Sequence, residues 1–248
     1  MDERPTGIAD LSRDDLIRLI GIFLGEVIVH YGLWFSQTVH HSDLDTGLEL
    51  ESKVLEPYGS IALTRLARHL GIEMEGNVPK TLLAKSKDEL IQLLQDIAKT
   101  WLTSDGLWSQ QLEGRFDMQR AKVVSDSCWS LFAKMEAFKI RRFLGLSSRG
   151  GLGALETALK FRIYSSINEY EVHWEDGNSL VWRMLQCPVQ AARRGKGMDD
   201  YPCKSAGIIE YTRFAQGIDR MIKTECILCP PDPVPEGLFC AWRFTMRG

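Results

Sequence analysis

Five of the six cysteines of this chain fall in its final quarter, at Cys187, Cys203, Cys226, Cys229 and Cys240. Cys226 and Cys229 stand in ECILCPPDP as a C-x-x-C pair, a turn spacing that would aim two thiolates at one ion, with Pro230 and Pro231 stiffening the chain beyond the second thiol. Cys187 and Cys203 bracket a loop and Cys240 opens a returning strand, so four or five sulfurs could converge. The expected metal ligands are Cys187, Cys203, Cys226 and Cys229, with Cys240 as reserve ligand or nucleophile. Such thiolates suit tetrahedral zinc, the preferred ion, or an iron-sulfur cluster. The competing reading is that several are buried small apolar residues. Cys203 lies just before a predicted helix N-terminus with Lys204 beside it, an environment that lowers a thiol pKa, so Cys203 and Cys240 are the candidate catalytic residues. Arg193, Arg194, Lys196 and Lys204 form a basic cluster that, with Glu210, suits a polar ligand such as a carboxylate; a solvated loop would look the same.

The rest of the chain must supply the elements that position these residues. A length of 248 residues with 44% hydrophobic content can bury one large core or two modest ones, and two domains are expected. A formal net charge of −3 offers no basic field for a nucleic-acid backbone, so nucleic acid is not an expected partner. The acidic start MDERPTGIAD lacks the form of a signal peptide, and the most apolar run, Leu19 to Val29, is shorter than the ~20 residues needed to span a bilayer. That run reads as a buried helix, and the expectation is a cytoplasmic protein with no membrane contact. Without an export signal the thiols are expected to stay reduced.

Laying residues 11–72 over 85–146 at a constant offset of 74 gives 13 identities without a gap. SRDDLI at Ser12 lies over SKDELI at Ser86, Trp34 over Trp108, and Gly71 over Gly145. Each copy opens on a capping signature, Ser12 with Asp15 and Ser86 with Glu89, and closes on a helix-stopping glycine. Apolar residues recur between them at helical spacing. The unit is a helical hairpin, and two hairpins over 12–72 and 86–146 are expected to pack as a pseudo-twofold four-helix bundle, a domain of residues 1–150. The tryptophans and the lone Cys128 read as core packing.

After SSRGGLG the pattern changes. A helix over Ala154–Ser165 leads to EYEVHWEDGNSLVWRML, two alternating strands joined by a turn at Gly177. A short basic helix begins after Pro188, an amphipathic helix runs through SAGIIEYTRFAQGI, and two strands close the chain. Residues 151–248 are thus expected to form a cysteine-rich α+β domain, an antiparallel sheet with helices on one side.

The stretch from Leu180 to Phe244, together with DGLWSQQLEGRFDMQRA at Asp105–Ala121, resembles the signature of a family of uncharacterised cytosolic proteins common in anaerobic bacteria. More distantly, the cysteines before and at a helix start, and the ending Cys240-Ala-Trp-Arg-Phe244, resemble the L-2-amino-thiazoline-4-carboxylate hydrolase-like family and the 4-vinyl reductase domain, in which cysteines can hold zinc. The resemblance implies a metal-dependent hydrolase of a sulfur-containing ring, with a small molecule as ligand. In that reading the helical domain is a lid or an oligomer interface; the competing class is a ligand or redox sensor or adaptor whose metal positions are all closed by sulfur, the bundle relaying a ligand- or redox-induced change.

Overall fold

Ser12 caps the first long helix, α1 (Arg13–His41), its hydroxyl accepting a hydrogen bond from the Asp15 backbone N–H at 3.1 Å. In this computed structural model, which describes residues 8–247, a second helix, α2 (Leu44–Leu70), returns antiparallel, capped by Asp43 and stopped by left-handed Gly71. A two-stranded ribbon comes next, β1 (Met74–Glu75) and β2 (Val78–Pro79), then a one-turn helix α3 (Lys80–Leu83). The pattern then recurs in α4 (Lys87–Arg115) and α5 (Met118–Phe143). Ser86 and Glu89 form a complete capping box, Asp117 caps α5, and Gly145 lies just beyond it with φ +65°. The starts of α4 and α5 lie 74 residues beyond those of α1 and α2, and the N-cap dihedrals of Ser12 and Ser86 agree within 2°.

The remaining elements are α6 (Gly151–Leu159), β3 (Glu169–Asp176), β4 (Ser179–Gln186), α7 (Pro188–Gly195), α8 (Lys204–Ile218), β5 (Ile222–Leu228) and β6 (Cys240–Met246). The fold is α+β. Its four-stranded sheet is antiparallel throughout, in the order β3-β4-β6-β5. Helix α6 ends at Leu159, before the expected stop at Ser165, so Phe161 and Arg162 lie in a turn.

The chain divides into two compact units at Pro79 and Lys80, not at residue 150. The second hairpin belongs with the sheet because α5 packs along α8. Small residues permit that approach: a Cβ placed on Gly217 of α8 would stand 2.6 Å from the Cβ of Ala137 on α5. On the opposite side α8 meets the sheet, where Tyr211 stacks on Trp242 with ring centroids 4.8 Å apart. The core of this unit gathers Leu155, Leu159, Trp182, Phe214, Ile218, Trp242 and Phe244, all essentially inaccessible. Across the sheet's other face run ion pairs, Arg183 with Glu171, and Arg243 with both Glu175 and Glu225.

In the first unit α1 contributes no buried residue, so the Leu19–Val29 run is not the buried helix expected. The helix extends well past that run in both directions. At 29 residues it is long and apolar enough to cross a bilayer by length and composition. The hairpin is held near its loop by Gly47 against Val39 and further along by the Tyr31 hydroxyl donating to Glu51 at 3.1 Å. Cys128, read as a core thiol, is exposed, as are Trp34 and Trp108.

Gly207 shows how tightly α8 lies on the sheet, since a Cβ there would stand 2.5 Å from the Trp242 ring. Gly207→Ala is therefore expected to destabilise the protein by about 1–3 kcal/mol in chemical denaturation. Gly153→Ala, where a Cβ meets nothing within 4 Å, should leave stability unchanged or raise it by up to ~1 kcal/mol. Equal effects at the two positions would contradict this packing.

Candidate functional site

Helix starts and strand ends in the second unit converge on one cavity of about 930 Å³. Pro188 forces β4 to stop and α7 to begin, leaving Cys187 at the N-cap position. Cys203 occupies the same position on α8, while Cys229 comes directly after β5 and Cys240 opens β6. These four cysteines all line the cavity. Its aromatic wall includes Trp101, Trp129, Tyr164 and Trp242, with Trp101 stacked on Phe132 at 5.6 Å.

Neighbouring polar groups fix the thiols. The Tyr164 hydroxyl lies 3.4 Å from Cys187 Sγ. Gln190, fully buried on α7, donates from Nε2 to Cys203 Sγ at 3.3 Å and to the Tyr201 carbonyl at 2.9 Å, while its Oε1 accepts from the Tyr201 N–H at 2.8 Å. Gln190 thereby ties the α7–α8 loop to the thiol it carries.

The electrostatics reverse the expectation for Cys203. Burial, with Cys187 and Cys240 nearby, pushes its thiol well above the ordinary value, so it is not a low-pKa thiolate. Lys204 cannot oppose this, because its ammonium is directed to Asp232 at 2.8 Å. Burial likewise raises Cys187, and the neighbouring Cys240 together with burial raises Cys229. Two carboxyls on the same cavity, Asp105 and Glu210, are also raised by burial. Glu210 is paired with Arg162 at 2.7 Å, and the Arg162 Nε donates to Glu136 at 2.8 Å. Arg162 is 2% exposed, and its guanidinium lies 4.6 Å from the Phe214 ring centroid.

Of the expected metal ligands, Cys187, Cys203 and Cys229 meet at the cavity, and Cys226 does not line it. Cys226 lies within β5 opposite Trp242 and Cys229 just beyond the strand's end, with a register shift between them, so the C-x-x-C pair is carried by a strand end and not by a turn. Cys240, the expected reserve, lines the cavity where Cys226 does not. Among the described residues, no three His, Cys, Asp or Glu side chains are grouped to hold a metal ion as they stand. The basic cluster is dispersed. Arg193 binds Glu113 at 2.9 Å, Arg194 binds Asp200 at 2.6 Å, and Lys204 binds Asp232. Arg193 alone of those three lines the cavity, joined there by Glu210.

Sequence reasoning missed Gln190, Tyr164 and Arg162. Gln190 gave one usable signal, a polar residue on the inward side of a short helix between two cysteines. Arg162 gave none, since its carboxylates lie 26 and 48 positions away along the chain.

The chain belongs to a family of unknown function, DUF6125, matched over residues 80–246. The match begins where the second compact unit begins, and so takes in the whole cavity. No curated protein and no solved structure matches the chain.

The raised thiols make stability depend on alkaline pH. An unfolded cysteine ionises near its ordinary value of 9.0, whereas Cys187, Cys203 and Cys229 in the folded chain hold their protons to higher pH. Their contribution is complete below about pH 9 and is lost as pH rises towards the folded values. Urea unfolding is expected to show stability falling between about pH 9 and pH 10.5, and falling less steeply in Cys203→Ala. An equal slope in that variant would contradict the assignment.

Proposed function

We propose that the second unit binds a small, largely apolar molecule in this cavity, with a soft metal ion, zinc in the first instance, held by thiols drawn from Cys187, Cys203, Cys229 and Cys240. The observation that carries this reading is that four thiols from four separate elements line one aromatic-walled cavity. Buried neutral thiols are poor nucleophiles but become good ligands once a cation supplies the charge that stabilises their ionised form. Cysteine has a single side-chain torsion, and rotation about Cα–Cβ is the movement by which these thiols, not grouped around an ion as they stand, would turn towards one.

Two carboxyls favour a hydrolytic use of the site. Asp105 and Glu210 share the cavity with the thiols, and each is shifted towards its protonated form by burial. A carboxyl shifted towards its protonated form beside a metal would be suited to deliver a proton to a leaving group, a role for Asp105, since Glu210 is ion-paired with Arg162. Opening of a sulfur-containing ring is the reaction this arrangement would serve. On the constant offset of 74 we also read the two helical hairpins as copies of one unit.

Metal binding by neutral thiols must release protons. Anaerobic titration of the reduced protein with zinc at about pH 7.5 is expected to show saturable binding with roughly one proton released per coordinating thiol. Cys203→Ser should release fewer and bind at least tenfold more weakly. Binding without proton release, or no binding, would refute the metal reading.

A further inference from the structure

Two thiols of the cavity wall are placed by the sheet itself. Strands β5 and β6 pair antiparallel with Leu228 opposite Ala241. One step further along that register sets Cys229 opposite Cys240. Residues directly opposed in an antiparallel pair have Cα atoms about 4.5–5.5 Å apart, inside the range of about 4.4–6.8 Å that a disulfide spans. Both side chains line the same cavity, and Cys240 is the neighbour that acts most strongly on the Cys229 thiol. Other pairings are less favoured. Cys226 lies within β5 and does not line the cavity, and Cys187 and Cys203 cap different helices.

We propose that Cys229 and Cys240 are a redox-active dithiol that exchanges with small-molecule disulfides entering the cavity. The two differ in access: Cys229 is 1% exposed, while Cys240 is partly exposed and lines the cavity. Cys240 therefore attacks first. As its thiolate, it displaces one thiolate from the incoming disulfide and forms a mixed disulfide; the leaving group takes up the proton that Cys240 gave up. Cys229 then loses its proton and attacks Cys240 Sγ. The second small thiolate leaves, takes that proton, and the Cys229–Cys240 bond is formed. Two cysteine thiols and one disulfide become one protein disulfide and two small thiols. The product removes two sulfurs from the set available to a metal, so oxidation of this pair and metal binding are mutually exclusive.

The test uses the full-length reduced protein, with chelator present, and glutathione disulfide as the oxidant. Intact mass is expected to fall by about 2 Da, with proteolytic mapping joining the Cys229 and Cys240 peptides and dithiothreitol reversing the change. Cys229→Ser should stop at the mixed disulfide on Cys240, and Cys226→Ser should behave as wild type. No mass loss in the wild-type protein, or a crosslink joining Cys226 to Cys229 or Cys187 to Cys203, overturns the proposal. Because mapping reads the bond directly, its outcome is independent of whether zinc or any small molecule binds.

Discussion

Arg162 holds together the parts on which the cavity depends. Its guanidinium joins Glu136 on α5 to Glu210 on α8, and the Glu136 carboxylate also accepts from the Ile163 N–H at 2.8 Å. One cation thus fixes the second hairpin, the turn after α6 and the helix carrying Cys203. Taking three charges out of water is costly, and the arrangement is tolerable because each is paired and the guanidinium lies against the Phe214 and Tyr211 rings. Removing a partner from such a buried pair typically costs about 3–5 kcal/mol, because the remaining charge is stranded. The same pairing opposes the effect of burial on Glu210, whose carboxyl is nevertheless raised.

Local signals in the chain were readable because their causes are local. Ser12, Ser86, Gly71 and Gly145 mark helix ends through hydrogen bonds and dihedrals set within a few residues, and the structure has helices beginning or ending at each. Pro188 announced the switch from β4 to α7 for the same reason. Where α5 would pack was not readable, because Ala133 and Ala137 carry the same small-residue signal whether they face α8 or another hairpin. The C-x-x-C spacing misled for a related reason: two residues between cysteines fit a turn or a strand, and the pairing of β5 with β6 decides for the strand.

Charge was the least legible property. Lys204 beside Cys203 suggested an activated thiolate, yet Asp232, 28 positions along, claims the lysine, and burial decides the thiol. Arg193 and Arg194 were likewise taken by Glu113 and Asp200. The result is a cavity lined by thiols and aromatic rings, with Glu210 compensated by Arg162.

Such a cavity favours a soft cation that can displace thiol protons. X-ray absorption at the zinc edge of the zinc-loaded, reduced protein tests this most directly. The account predicts a first shell dominated by sulfur at about 2.3 Å, losing one sulfur in Cys203→Ser. A shell of nitrogen and oxygen at about 2.0–2.2 Å, unchanged in that variant, would contradict it.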